Sequence, residues 1–308
     1  MTSALLIVLG VAAAGVGGEL FVRGTVGLAV RFRVAPGIVG ATVAAFATSS
    51  PELSVGVNSA VQGTPEIALG DALGSNVVNV GLVLGMVLVL AGARPRRADL
   101  NRDLPVALIA PMVTLGLASD GVISRVDGGV LLACFAAWLA VTVRQAVRER
   151  DASASVLAET RQRWIVRDAV IGVVLLVAAG RMIAVAANGI GAALGWDNFT
   201  VGAVLVAFGT STPELATTIT ARLRGHDEVS VGTVLGSNIF NGLLIVGVAA
   251  LITPIRVSAA EILAAVVAGV LTLALILPGR RDRLGRGRGL ALIALYGVYV
   301  TVLLAVHR

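Results

Sequence analysis

The sequence predicts an all-α integral membrane protein with ten transmembrane helices, arranged as two inverted five-helix repeats. Three observations lead to this fold class: long apolar runs, a one-sided distribution of arginine and an internal duplication. Of the 308 residues, 57% are hydrophobic and only 14% are charged, and the mean hydropathy is +0.93. Apolar runs of about 18 residues or more are typical of membrane-spanning helices rather than of soluble domains.

Ten apolar runs are separated by short polar segments. They cover residues 3–29, 36–61, 67–91, 104–118, 128–147, 168–190, 198–221, 229–252, 257–278 and 289–306. The run at 104–118 is the shortest. The lipid bilayer is therefore the expected surroundings of most of the chain. The N-terminal run lacks a basic stretch before it and continues to Ala29, which favours a retained helix over a cleaved signal peptide.

The basic residues report topology. All 24 are arginine, and 19 of them fall in the loops on one side if the ten runs cross the membrane in turn. Because positive residues are enriched in cytoplasmic loops, this predicts that both the N-terminus and the C-terminus lie outside the cell membrane. The net charge of +6 is thus a topology signal and does not indicate nucleic-acid binding.

The chain contains an internal duplication at a constant offset of 162 residues. Between residues 37–85 and 199–247, 20 of 49 positions are identical without a gap. Five predicted spans separate equivalent points, so the second copy crosses the membrane in the opposite direction. We therefore expect a first repeat at 1–147, a cytoplasmic linker at 148–167 and a second repeat at 168–308. Inverted repeats of this kind are typical of transporters, whose substrate sites lie near the midplane at broken helices.

The duplicated segment "TSSPEL" at 48–53 places a proline and a carboxylate inside an apolar run. Pro51 has no N–H, so the carbonyl of Ala47 loses its helical donor and the helix is expected to bend. "TSTPEL" at 210–215 repeats the arrangement, and there Pro213 frees the carbonyl of Gly209. Irregular backbone at membrane depth is tolerated where it lines a cavity or is buried in protein.

A second duplicated segment, "LGSNVVN" at 73–79 and "LGSNIFN" at 235–241, adds further oxygen atoms. Ser75 and Asn79 are four residues apart and share a helix face, as do Ser237 and Asn241. With the two glutamates, the hydroxyls and the free carbonyls, they form a set of hard oxygen ligands that suits calcium or sodium better than zinc or copper. The single cysteine, Cys134, excludes an internal disulfide.

At these two segments the sequence resembles the sodium/calcium exchanger family of the calcium/cation antiporter superfamily. "GATVAAFATSSPEL" with "ALGSNVVNVGLVLG" is similar to the family's first repeat, and "VGAVLVAFGTSTPEL" with "VLGSNIFNGLLIVG" to its second. The resemblance covers nearly the whole chain. It implies antiport of roughly three Na⁺ for one Ca²⁺ by alternating access, exporting Ca²⁺, with a monomer sufficient for transport and no enzymatic activity or cofactor.

The resemblance also assigns roles to individual residues. Glu52 and Glu214 would bind Ca²⁺, and Thr48 and Thr210 would coordinate it through their carbonyls, one residue after those that the proline argument favours. Two mirror-related sodium sites and a central pair of amides would complete the set: Ala45, Ser49 and Ser75; Ala207, Ser211 and Ser237; Asn79 and Asn241. Asn241 stands where some relatives carry an aspartate.

Some alternatives stay open at the level of sequence. Ca²⁺/H⁺ antiport is possible because glutamates can carry protons, and a cation channel is a further alternative, although channels usually need a pore ringed by several subunits. Asp71 precedes Ser75 by four residues, so it is either a solvated acid at a helix end or a residue of the ion path near the outer mouth. Glu19 and Arg23 are expected to pair, and Arg181 to anchor a helix.

Overall fold

The computed structural model describes residues 2–32, 34–152, 164–194, 198–257, 259–278 and 283–306. The first half of this described chain contains six helices: α1 (Thr2–Phe32), α2 (Pro36–Thr48), α3 (Ser50–Val61), α4 (Pro65–Ala91), α5 (Arg97–Leu117) and α6 (Arg125–Ala152). The second half contains another six: α7 (Ile165–Leu194), α8 (Asn198–Thr210), α9 (Thr212–Leu223), α10 (Asp227–Ile252), α11 (Ala259–Leu275) and α12 (Arg286–Val306).

Helix bounds recur at the same offset as the sequence. Helices α2 and α3 plus 162 residues give the bounds of α8 and α9. The turns that follow contain Gly63 and Gly225, each with a φ of 80° that favours glycine over other residues. Two short strands, β1 (Val122–Ile123) and β2 (Ile255–Arg256), pair antiparallel, and an isolated bridge joins Ala93 to Leu284 at nearly the equivalent positions. The duplication therefore extends from sequence to backbone.

The predicted bends at the proline motifs are confirmed. Helices α2 and α3 meet at 45°, and α8 and α9 meet at 40°. The break falls at Ser49, with φ −84° and ψ 10°, and at Ser211, with φ −75° and ψ 5°. Pro51 and Pro213 then occupy the first turn of the following helix, where the missing N–H costs no hydrogen bond.

Four helices also contain a π-helical stretch. These stretches are Gly40–Ala44 in α2, Val78–Leu84 in α4, Val201–Val206 in α8 and Phe240–Ile245 in α10. π-Helical turns are rare in proteins, and those that do occur are often located at functional sites. The stretches in α4 and α10 contain the two central amides predicted from the sequence.

The prediction of an all-α membrane protein is confirmed, while the number of spans stays a prediction. In the described residues six helices are long and apolar enough to cross a membrane, or eight if each bent pair forms one span. Helix α5 begins at Arg97, so the span expected at 104–118 is longer than predicted. Helix α6 continues to Ala152, into the segment predicted as a linker, of which residues 153–163 lie outside the described chain.

Helices α4 and α10 form the centre of the protein. Of the apolar window of each, 78% is buried, compared with 22% for α12. Glycine lets these central helices touch the backbone of the other repeat. A methyl group on Gly74 of α4 would clash with the carbonyl oxygen of Ala203 in α8, and one on Gly236 of α10 would clash with that of Ala41 in α2. Close contacts of this kind are how small residues join membrane helices.

We predict that Gly236→Ala destabilises the protein by about 1–3 kcal/mol, the usual cost of overpacking a tight contact. The added methyl meets backbone atoms, which cannot move aside as the end of a flexible side chain can. The thermal unfolding midpoint in detergent should fall.

Gly297→Ala in α12 is the matched control, since open space surrounds this glycine. Its midpoint should stay unchanged or rise slightly, because alanine has the higher helix propensity. Equal midpoints for Gly236→Ala and the wild type would show that the two helices are not in backbone contact.

Candidate cation-binding site

The two helix breaks and the centres of α4 and α10 meet in the protein interior. All of the predicted site residues are there, and none is more than 2% exposed. They are Ala45, Thr48, Ser49, Glu52, Ser75 and Asn79 of the first repeat, and Ala207, Thr210, Ser211, Glu214, Ser237 and Asn241 of the second. Their roles toward individual ions stay predictions.

Glu214 is held by hydroxyls from both repeats. Ser49 donates a hydrogen bond of 3.1 Å to its Oε1, and Ser237 donates one of 3.0 Å to the same atom. Oε2 has no hydrogen-bond partner. Ser49 and Ser237 share Glu214 because the broken helix of one repeat faces the central helix of the other. The grouping of Ser49 with Ser75 in a sodium site stays a prediction. One carboxylate oxygen is therefore fixed and the other is available to a ligand.

Glu52 is the equivalent residue, but its surroundings differ. Both of its carboxylate oxygens lack a hydrogen-bond partner, and so does the hydroxyl of Ser211. The Oγ of Ser75 lies 3.4 Å from Oδ1 of Asp71, and Thr210 donates a hydrogen bond of 3.0 Å to the same atom. Asp71 is fully buried, so its interpretation as a solvated acid at a helix end is wrong.

The amides of the second motif form a chain between α4 and α10. The Nδ2 of Asn79 donates to Oδ1 of Asn238 at 3.3 Å, and the Nδ2 of Asn238 donates to the carbonyl of Asn76 at 3.1 Å. The Oδ1 of Asn79 and both amide atoms of Asn241 have no partner. The central amides thus keep free oxygens that a cation can use.

Sequence reasoning missed Asn76 and Asn238. Both belong to the "LGSN" segments, and each lies three residues before a predicted amide, which is one helical turn. Their polar character inside an apolar run was a usable signal. Their role in orienting Asn79 depends on contact between two helices, which a single sequence does not give.

The site is strongly electronegative for its depth. Glu52 interacts electrostatically with both Glu214 and Asp71. Buried carboxylate oxygens without partners are costly, and a bound cation is one way to compensate them. Within the described chain no three acidic, histidine or cysteine side chains converge as a metal cluster. A cation here would need hydroxyl, amide and carbonyl oxygens in addition to the carboxylates, which is a set for Na⁺ or Ca²⁺.

A cavity of about 380 Å³ leads from the surface to one side of the site. Residues of α3 and α7 line it, and Pro51 and Thr210 lie at its inner end. Ser54, Gln62 and Arg181 are also part of its wall. Arg181, expected to anchor a helix, thus lies along this cavity. Thr210, whose hydroxyl donates to Asp71, therefore forms a buried part of the cavity wall.

Helices α9 and α1 are equivalent to α3 and α7 of the cavity wall, and these two helices contact each other. Gly18 of α1 packs against the backbone of Ala216 in α9, where the equivalent of Ala216 is Ser54 of the cavity wall. The predicted pair of Glu19 with Arg23 is confirmed at 2.6 Å, and Arg224 at the end of α9 also pairs with Glu19. The larger cavity therefore lies along α3 and α7, while α1 and α9 are in contact at Gly18 and Ala216 and leave a cavity of about 290 Å³ beside Arg23 and Arg224.

Comparison with known proteins extends the resemblance over the whole fold. Solved structures of the sodium-calcium exchanger NCX_Mj superpose on this chain. The one soaked with Na⁺ and Sr²⁺ gives a TM-score of 0.81 at 27% identity and covers 97% of this chain and 98% of the other.

Two relatives are similar in sequence. The Inner membrane protein YrbG of Escherichia coli is 32% identical over 232 residues, 72% of this chain and 71% of that protein. The Putative antiporter CaxA of Alkalimonas amylolytica is 30% identical over 253 residues, 79% of this chain and 78% of that protein. The family described as sodium/calcium exchanger protein matches residues 2–144 and 169–305. The chain therefore belongs to the sodium/calcium exchanger family of membrane antiporters.

Proposed function

We propose that this protein exchanges Na⁺ for Ca²⁺ across the cell membrane by alternating access, with about three Na⁺ for each Ca²⁺. The observation that carries the proposal is the pair of buried glutamates, Glu52 and Glu214, at two equivalent helix breaks. Glu214 accepts hydrogen bonds from hydroxyls of both repeats, and each glutamate keeps at least one free oxygen. Na⁺ and Ca²⁺ compete for these carboxylates, so each passage carries one kind of ion.

The direction of transport follows from charge. Exchange of three Na⁺ for one Ca²⁺ moves one net positive charge, worth about 2.3 kcal/mol per 100 mV of membrane potential. In an energised cell this favours Ca²⁺ export. We also propose ten spans in two inverted repeats with both termini outside, which the arginine distribution and the recurring helix bounds support. A monomer is proposed as the transporting unit because one chain contains both repeats of the site.

Helices α1 and α7 are the moving part in this proposal. They pack on each other through glycines, since a methyl on Gly24 would overlap Ala169 and one on Gly172 would overlap Phe21. The pair contributes none of the predicted site residues. Sliding of this pair would close the cavity along α7 and separate α1 from α9, so that the equivalent positions exchange their environments.

Transport itself is tested with proteoliposomes loaded with Na⁺, with K⁺ or with a low-pH buffer, placed in ⁴⁵Ca²⁺. We expect uptake only from Na⁺-loaded vesicles, and a loss of at least about 100-fold in Glu52→Gln, because removing a charged ligand from a buried site typically costs several kcal/mol.

Glu66→Gln is the control, since this glutamate lies in the first turn of α4, outside the site, and its loss should leave uptake near the wild-type rate. Uptake driven equally well by the proton gradient without Na⁺ would replace the sodium assignment with Ca²⁺/H⁺ antiport. Uptake at the same rate whichever ion is inside the vesicles would indicate a channel.

We further predict that Arg224→Gln shifts the protein away from the conformation described here. The ion pair of Arg224 with Glu19 joins α9 to α1 and is partly exposed, so its loss should cost about 0.2–1 kcal/mol. Glutamine is the residue that the first repeat carries at the equivalent position, Gln62.

The measurement is the rate at which a maleimide labels a single cysteine in a Cys134→Ser background. Ser54→Cys reports the open cavity and Ala216→Cys reports the closed side. Arg224→Gln should slow the first and speed the second, so that the ratio of the two rates changes by about 1.4-fold to 5-fold. Arg23→Gln is the matched control, because Arg23 pairs with Glu19 within α1 and joins no second helix. Equal effects of the two variants would show that the ion pair between α1 and α9 does not stabilise this conformation.

A further inference from the structure

Asp71 breaks the equivalence of the two halves of the site. At the offset of 162 residues, the hydroxyls equivalent to the two donors of Glu214 are those of Ser211 and Ser75. If the halves matched, both would donate to Glu52. Instead Ser75 lies 3.4 Å from Asp71 and Ser211 has no partner.

The second repeat has no acid at this turn. The residue equivalent to Asp71 is Thr233, and its hydroxyl donates to the carbonyl of Val229 in its own helix at 2.8 Å. The hydroxyl of Thr233 therefore has its hydrogen bond within α10, and the hydroxyl of Ser237 donates to Glu214. The additional carboxylate is a property of one half only, and it lies in the half that faces the cavity.

Among the described residues no basic side chain pairs with the carboxylate of Asp71. Its Oδ1 accepts a hydrogen bond from Thr210, while its Oδ2, although fully buried, has no partner. Glu52 interacts electrostatically with Asp71 and lies beside the hydroxyl of Thr210, but neither of its carboxylate oxygens is in a well-formed hydrogen bond. Two uncompensated carboxylates and two hydroxyls thus face one region, a combination that is costly without a cation.

This region lies at the inner end of the cavity, because Thr210 contributes both to the cavity wall and to the hydrogen bond with Asp71. Thr210 is therefore the residue that joins the cavity wall to Asp71. The oxygens of Asp71, Ser75 and Thr210 are hard ligands without a nitrogen or sulfur atom among them, which suits an alkali or alkaline-earth ion.

Charge distinguishes the two ions that the proposed function would bring here. Glu52 and Glu214 together balance one divalent ion, and Asp71 adds a third negative charge. Three monovalent ions balance three carboxylates, whereas a single divalent ion leaves one of them without a counter-charge. The third carboxylate therefore stabilises the form loaded with monovalent ions more than the form loaded with a divalent ion.

We propose that Asp71, with Thr210 and Ser75, forms a sodium subsite at the inner end of the cavity and sets the sodium affinity of the protein with little effect on calcium. The inference rests on the proposed Na⁺/Ca²⁺ exchange and names a specificity-determining residue for it.

The test compares wild type with Asp71→Asn, which keeps the size of the side chain, and with Asp71→Thr, which installs the residue of the other repeat. In proteoliposomes the Na⁺ concentration for half-maximal ⁴⁵Ca²⁺ exchange should rise about tenfold and the Hill slope should fall, as for loss of one charged ligand. Half-saturation by Ca²⁺ in Na⁺-free Ca²⁺/Ca²⁺ exchange should change less than about twofold. Thr233→Val, which alters the equivalent turn, is the matched control and should shift neither value.

A second readout does not depend on transport. Addition of NaCl to purified wild type in detergent, compared with choline chloride, should raise the unfolding midpoint, since a ligand of the folded state stabilises it. Both Asp71 variants should lose most of this sodium-dependent rise.

The outcomes separate the two claims. A wild type that exchanges Na⁺ for Ca²⁺ alongside Asp71 variants of unchanged sodium dependence would overturn the subsite and leave the exchange intact. An equal loss of calcium and sodium affinity would also overturn it, because Asp71 would then act on both ions or on the fold. A wild type without sodium-driven flux and without stabilisation by NaCl would overturn both.

Discussion

The buried carboxylates are the constraint on which the rest of this structure depends. Glu52, Asp71 and Glu214 have no exposed surface, and each has at least one oxygen without a hydrogen-bond partner. Uncompensated charge at this depth is destabilising, so the fold has to supply its stability elsewhere and keep the free oxygens accessible to cations. The helix breaks serve the second need, since they place Glu52 and Glu214 in the first turn of a helix, near hydroxyls of the broken segments.

Close helix packing supplies the stability that the site does not. Helices α4 and α10 touch the backbone of α8 and α2 at Gly74 and Gly236, and their apolar windows are the most buried among the candidate spans. In a membrane the lipid is as apolar as the helices, so close packing and polar contacts replace the hydrophobic effect as the source of association. The amide chain from Asn79 through Asn238 provides such a polar contact, within about one helical turn of Ser75 and Ser237, which contact the carboxylates.

Much of the fold and of the site could be predicted from the sequence because the duplication repeats each signal. A lone proline such as Pro51 is an ambiguous sign of a kink, but its recurrence at Pro213 with the same neighbours indicates a shared site. Partners across helices could not be predicted in this way. The shared binding of Ser49 and Ser237 to Glu214 and the burial of Asp71 depend on which helix faces meet, and one sequence does not contain that information. The apolar pattern also underestimated the length of α5. Its first turns are polar but helical, and Asp99 and Asp103 in these turns are buried.

The two repeats differ at a few positions in and near the site, and these differences make the two sides of the protein unequal. Two identical halves would give a site with equal affinity for its ligands from both sides and with equal stability of both conformations. Here one half holds Asp71 where the other holds Thr233, and one side carries Glu19 and Arg224 where the other carries Arg181 and Gln62. The first difference acts on which ion is bound and the second on which side is open. A ligand shifts a conformational equilibrium only by its difference in affinity for the two states. An acid near the open cavity and an ion pair at the closed side therefore act on the same equilibrium, one through the ion and the other through the helices.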